Sequence, residues 1–461
     1  MTSKRHMRRR HQVIGPVRLG QIDIEPLLLA AWAAISVGAA LSNGSYYTPS
    51  IILVSLGTLA LVTATALRPG PTQRSELHID WGLPIGAVVF TAVALPAGIL
   101  AAGFQMYLGH TLTALVAVAL AVPVILQWPI SRRYGYFLVA VMAWAGVAMI
   151  LADQNPYIDV WYLLQAAAHG LSHGISMYNL HWFAPPGQDS NAFVYLPGCA
   201  VLLWPFYVFF GDVRYGELAA LVLTSVILMR ARPGRTGLIL GCLVLLYPRV
   251  FMGIEQAWLE PLIILELGAA AYACSRGRKG LAVLAFAAAL VTKQQVWLLV
   301  PLTAVWEQFG WRRTAQAVGG ALAFLLPWYL VAPAGFVRGT LLYNLRLPAD
   351  VNSLSLFTTA ALHGWHPSFS LVGIVTVAAI VLAVWRGARD TQGFLVGAAM
   401  VEAVLNLVNK QSFFNEWELA AGLALLAVGF GHVDNSRSTQ QVGAPTTEAA
   451  QPPNPTIELD S

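Results

Sequence analysis

Apolar runs of about the length needed to cross a bilayer, ~20 residues, recur along this chain from Pro26 to Phe430. No other feature restricts its folding as much. In hydrocarbon every backbone N–H and C=O must find a partner inside the protein, which leaves helices or closed barrels, and runs this long select helices. Only 11% of the residues are charged and 57% are hydrophobic, against roughly 25% charged in soluble domains. The chain therefore reads as an all-α, polytopic transmembrane helical bundle in the cell membrane. Its three cysteines, Cys199, Cys242 and Cys274, fall in apolar stretches without paired spacing, so neither a disulfide framework nor a zinc ribbon is indicated.

Segments are expected near 26–42, 50–67, 82–102, 109–127 and 134–152, and again near 214–230, 236–252, 257–274, 280–292, 294–306, 314–332, 369–386, 391–408 and 413–430. That makes about 13–14 membrane segments. The stretch 194–210 is also apolar, and its status decides the topology. If it only dips into the outer leaflet, the arginine-rich loops all fall on one side, together with 21 of the 27 basic residues. The positive-inside rule favours that arrangement, with both termini cytoplasmic. The net charge of +5 then has a topological origin, and the basic tail 1–25 sets orientation rather than binding nucleic acid. The pair 280–292 and 294–306 is too short for two full spans and reads as a hairpin of short helices meeting at Lys293, a break tolerated where it lines protein or a water-filled cavity. Residues 26–152 form an N-terminal membrane part and 153–430 a second one with outer loops 153–213 and 333–368. The tail 431–461, rich in Ser, Thr, Pro and Gln, is expected to be disordered. No soluble domain and no internal repeat is visible.

The outer surface collects the unusual polar residues. Asp159 opens the stretch 158–173, whose apolar residues recur at helical spacing and suit an amphipathic helix along the membrane interface. A carboxylate in its first turn suits the helix dipole, and the same position suits a catalytic base. Asp153 is the competing carboxylate, better placed as a span-end residue. His169 and His173 share a helix face, with His181 nearby, but no intervening Glu points to a zinc hydrolase, so hydrogen bonding or acceptor contact is the better reading and no metal is expected. Glu255 and Glu260 lie at the outer end of a span, where ionisable residues are costly and are functional candidates by default. Lys293, with Gln294 and Gln295 at the hairpin break, needs a carboxylate or an anion, and a phosphate suits a compact ammonium. Asn352, near Arg346, and Asn415 with Glu416 offer sugar or phosphate contacts, or only helix capping.

The order of these features resembles the GT-C superfamily of integral-membrane glycosyltransferases, in particular the GT87-like polyprenyl-phosphate-mannose-type transferases. The resembling residues are Asp159-Val160-Trp161-Tyr162, Gly174 to Tyr178, Tyr195-Leu196-Pro197 with Gly211, Glu260-Pro261, Thr292-Lys293-Gln294, Asn352-Ser353-Leu354 and Phe414-Asn415-Glu416. They span roughly residues 150–430. The resemblance implies transfer of a hexose, mannose foremost, from a polyprenyl-phosphate-linked donor to a glycolipid or glycan acceptor outside the membrane. It implies Asp159 as general base and basic residues on the donor phosphate, foremost Lys293, then Arg249 or Arg346, without a cofactor. Two departures stand out: four extra spans precede the first large outer loop, and the family's Tyr-Pro-Pro pattern is here Tyr195-Leu196-Pro197.

The chemistry agrees with that reading on its own terms. Inverting sugar transfer needs a base for the acceptor hydroxyl and positive charge where the leaving phosphate gathers charge. Two other classes share the many spans. A transporter or flippase for lipid-linked sugar should show two related halves with paired broken helices, and only one break is seen. A sugar polymerase or ligase should rely on an arginine-rich or histidine-bearing outer loop, which His169, His173 and His181 keep open.

Overall fold

The computed structural model describes residues 23–68, 80–94, 104–179 and 192–431. Most of the basic tail, His181 and nearly all of the tail 431–461 lie outside the described residues. Among those described the chain is all-helical, with one isolated bridge between Ser45 and Ser353 in place of any strand.

The first part comprises α1 (Glu25–Leu41), α2 (Thr48–Leu67), α3 (Gly82–Ala94), α4 (Phe104–Ile125) and α5 (Arg132–Ala152). Two shorter helices follow, α6 (Asp159–Ser172) and α7 (Pro197–Phe210). Then come α8 (Arg214–Ala231), α9 (Arg235–Leu245), α10 (Val250–Glu255), α11 (Glu260–Ser275) and α12 (Lys279–Thr292). A 3₁₀ turn over Gln294–Leu299 leads into α13 (Val300–Val305) and α14 (Gly310–Val331). The second large loop folds as α15 (Pro333–Val337), a π turn (Arg338–Tyr343), α16 (Asn344–Arg346) and α17 (Leu356–Leu362). The chain closes with α18 (Phe369–Leu382), α19 (Thr391–Val408) and α20 (Phe414–Phe430). Six of these helices, four of them α2, α5, α14 and α19, are long and apolar enough to cross a membrane; the other two are the part of α4 from Leu108 and α18 with its π extension to Gly387. Others expected as spans, such as α1, α9 and α12, are shorter apolar helices.

One expected span is not continuous. Residues 236–252 break after Leu245, and Arg249 takes a left-handed conformation with φ 60° before α10 starts. Pro248 supplies the reason, because a proline disfavours helical geometry in the residue before it and cannot donate to the helix ladder.

Burial sorts the helices. α19 buries 78% of its span and α14 only 17%, so α19 is interior while α14 presents an apolar flank outward. α20 is buried nearly all round, as an apolar helix must be when it runs through the middle of a bundle. Trp32, Trp306 and Trp417 are fully buried among these inner helices.

Specific bonds show which helix ends lie together. At one end Arg232 bonds Glu25 (2.8 Å) and the Val428 carbonyl (2.8 Å), Arg68 pairs with Asp390, and Arg235 donates to the Pro123 and Val124 carbonyls. At the opposite end Arg214 donates to the Asp153 carbonyl (2.7 Å), Lys293 pairs with Glu260, and Tyr46 N–H donates to the Asn352 carbonyl (2.6 Å). The first is the arginine end, the second the site end. α7 starts and finishes at the site end: Gly198 packs against the Val291 carbonyl, and the Gly211 carbonyl accepts from Gln165 of α6.

Candidate functional site

Two loops and four helix ends meet at the site end. α6 begins at Asp159, after an extended Ile158, and its Oδ1 accepts from the Val160 N–H (2.8 Å). α11 begins at Glu260, followed by Pro261 at a position where a missing N–H costs nothing. α12 stops at Thr292, and Lys293 turns extended. The 3₁₀ turn after it leaves the Lys293 side chain free to face Glu260 rather than the lipid.

Lys293 Nζ pairs with Glu260 Oε1, and the Asn415 amide donates to the same oxygen at 3.0 Å. Glu416 stands 4.0 Å from Nζ. Its other oxygen accepts from the Phe413 N–H (2.9 Å), closing the first turn of α20. Gln295 donates to Glu402 on α19 at 3.3 Å. Gln294 points the other way and ties the two large loops together, donating to the carbonyls of Val194 (2.8 Å) and Thr340 (2.9 Å). Glu260 is fully buried, and its Oε2 has no hydrogen-bond partner among the described residues. Asp159, Tyr195, Lys293, Asn415 and Glu416 are each partly accessible, so the network is not sealed in the core.

Tyr195 lies within electrostatic reach of both Asp159 and this network. Burial, and then the carboxylates of Asp159, Glu260 and Glu416 in that order, push its phenol well above the ordinary value. It therefore stays a hydroxyl donor among carboxylates. Tyr178 holds it in place: the Tyr178 hydroxyl donates to the Tyr195 carbonyl at 2.8 Å, and its ring packs against Phe193 and Phe336. The loops touch so closely that only glycine fits at two points. A Cβ on Gly335 would lie 2.2 Å from the Tyr178 carbonyl oxygen, and one on Gly339 2.1 Å from that of Phe193.

The other candidates lie elsewhere. Asp153 ends α5 beside Arg214, whose guanidinium also grips Asp212 through Nε and Nη2. Glu255 faces the same spot, and burial followed by the nearby Asp153 carboxylate raises its pKa to about 7. The His169 and His173 rings pack at a tilt with centroids 4.3 Å apart, and His169 Nδ1 lies 2.9 Å from the Tyr207 hydroxyl. Among the described residues no third metal-ligating group joins them. Arg249 lines a small cavity of about 40 Å³ with His110 and Thr113. Arg346 is exposed, and Asn352 acts through its backbone, holding the turn between α1 and α2. None of the described bonds of these three reaches Lys293.

Tyr195 and Glu402 belong to the site; in the sequence Tyr195 entered only through the Tyr195-Leu196-Pro197 resemblance, without a role, and Glu402 was not singled out. Glu402 carried a usable signal: it is the one ionisable side chain within the apolar run of α19, and such residues are functional candidates by default. Comparison with family models, with curated proteins and with solved structures finds no match to this chain.

Proposed function

We propose that the protein is a membrane glycosyltransferase that moves a hexose, with mannose the first donor to test, from a polyprenyl-phosphate carrier to a glycolipid or glycan acceptor on the extracytoplasmic side. One observation supports the reading: the carboxylate of Asp159 and that of Glu260, the ion-pair partner of Lys293, act on the same phenol, Tyr195, so that partly accessible residues from distant parts of the chain share one polar site. In the proposed step the acceptor oxygen bonds to the anomeric carbon while the bond from that carbon to the phosphate oxygen breaks. The electron pair leaves with the lipid phosphate, and the acceptor proton passes to Asp159. Lys293 offsets charge on the departing phosphate. An ammonium has three N–H groups; Glu260 takes one, and the loose 4.0 Å approach of Glu416 leaves donor capacity for a phosphate oxygen. The apolar outer flank of α14 suits the polyprenyl chain.

The test is sugar transfer by purified protein from polyprenyl-phosphate mannose, glucose or arabinose to a membrane-lipid acceptor fraction. Transfer abolished by Asp159→Asn supports the assignment, and full turnover by that variant refutes it.

One observation favours a second reading, proton-coupled movement of a lipid-linked sugar. The carboxylates Glu217 and Glu418 are buried with both oxygens unpartnered among the described residues, an expensive arrangement in a membrane unless it serves ion or proton movement. Donor-lipid translocation in proteoliposomes without glycosyl transfer would select it.

A further inference from the structure

The arginine end carries a second site. A cavity of about 460 Å³ opens there between α5, α8, α9 and α11, and Arg132, Arg230 and Arg276 all line it. With a water's share of liquid volume near 30 Å³, this is room for a phosphodiester headgroup and several waters. Tyr272 and Tyr136 form part of the wall. Arg276 is oriented within it: its guanidinium lies over the Tyr272 ring at 5.1 Å, and Nη2 donates to the Arg230 carbonyl at 3.3 Å. Gly135 lets Leu238 of α9 approach α5 closely, which sets the depth of the cavity.

The positive-inside rule explains why arginines gather at this end, but not why these three share a cavity with no acidic residue among its described lining. Other arginines of the same end found carboxylates: Arg232 has Glu25 and Arg68 has Asp390. Among the described residues none of the cavity's three has an acidic partner within ion-pair distance. Arg132 also stands at the first position of α5, the positive end of the helix dipole, where a cation is disfavoured. Three like charges facing one space raise its affinity for an anion.

The outer face of α5, the helix that lines the cavity through Arg132 and Tyr136, indicates the anion's carrier. Phe137 and Trp144, two turns apart on α5, are 61% and 62% exposed, and α5 is one of the helices fit to cross a membrane. An apolar stripe thus rises from the cationic cavity along the bilayer direction. Basic pockets between membrane helices on the cytoplasmic side are suited to anionic lipid headgroups.

We propose that this cavity is a headgroup site for an anionic phospholipid, with the phosphate among Arg132, Arg230 and Arg276 and an acyl chain along Phe137 and Trp144. The assignment rests on the membrane bundle alone and stands or falls independently of the transferase reading. α11 links the two sites physically, with Glu260 at its first residue and Arg276 just past its last.

The experiment is thermal unfolding of the full chain in neutral detergent, titrated with phosphatidylglycerol, with phosphatidylcholine of the same chains, or with inorganic phosphate. Wild type, the triple variant R132Q/R230Q/R276Q and the control R312Q/R386Q are compared. Phosphatidylglycerol should raise the midpoint of wild type and control at concentrations where the other two additives do not, and the triple variant should bind it at least tenfold more weakly. An equal response of the triple variant would overturn the site, as would no preference for phosphatidylglycerol over phosphatidylcholine. Inorganic phosphate matching the lipid would overturn the lipid assignment in favour of a free-anion site. Should the triple variant not fold, R132Q alone serves, with a smaller loss expected and none contradicting the proposal.

Discussion

Lys293, at the break after α12, is ion-paired with Glu260, the first residue of α11, and the pair is held where the glutamate has no solvent exposure and the lysine side chain 13%. Together with the Thr292 hydroxyl, which donates to Glu266 at 2.8 Å, the pair fixes the register of α11 and α12 at the site end. Removing one member of such a pair leaves an uncompensated charge, whereas replacing both with apolar groups is often neutral. Lys293→Met should therefore cost about 3–5 kcal/mol of stability, and K293M/E260M clearly less. Thermal unfolding of the two variants in detergent checks this; equal losses would show that an uncompensated Glu260 charge is not what destabilises Lys293→Met.

Tyr178 acts through Tyr195. Its hydroxyl bond to the Tyr195 carbonyl, part-buried, is lost in Tyr178→Phe, at about 1 kcal/mol. Tyr195→Phe keeps the ring and removes only the hydroxyl on which the Asp159, Glu260 and Glu416 carboxylates act. Sugar transfer should fall more in Tyr195→Phe than in Tyr178→Phe, while stability falls more in Tyr178→Phe. The opposite order in either measurement would contradict the assigned roles.

The second large loop is seated on the first by Gly335 and Gly339. An added methyl meets a carbonyl oxygen at 2.2 Å and 2.1 Å, so the backbones must separate. Gly335→Ala and Gly339→Ala should each destabilise by about 1–3 kcal/mol and increase protease cutting within 333–368. Wild-type resistance in both variants would show that the loops are not clamped there.

Glu255 gives stability a pH dependence. Its pKa is about 7 in the folded chain, against an ordinary 4.5, through burial first and the Asp153 carboxylate second, with Arg214 opposing. The folded state binds the extra proton between those values, so this contribution is fully present below about 4.5 and is lost as pH rises through about 7. The unfolding midpoint should fall from pH 5 to pH 8, and Glu255→Gln should flatten the fall. An unchanged slope in the variant would remove Glu255 as its source.

Hydropathy alone located most helices to within a few residues, because apolar length and helical period are local properties. The expected 391–408 coincides with α19, and 413–430 nearly with α20. The break at Arg249 passed unnoticed since the residues around Pro248 are apolar enough to look continuous. Asp159, Glu260, Lys293, Asn415 and Glu416 could be singled out as polar residues in costly places. Their pairing could not be read, because which carboxylate meets Lys293 depends on how α11, α12 and α20 pack. Asn352 and Arg346 show the converse: residues of a suggestive type whose side chains the fold leaves outside the network.

The most direct test of Asp159 as base and Lys293 as phosphate partner is the transfer rate of purified Asp159→Asn beside wild type, with unfolding midpoints measured on the same preparations. A general base contributes about 10²–10⁴-fold, so the variant should lose that much turnover from polyprenyl-phosphate mannose, or from whichever donor the wild type uses, while unfolding at the wild-type temperature. Turnover within a few-fold of wild type would contradict the assignment.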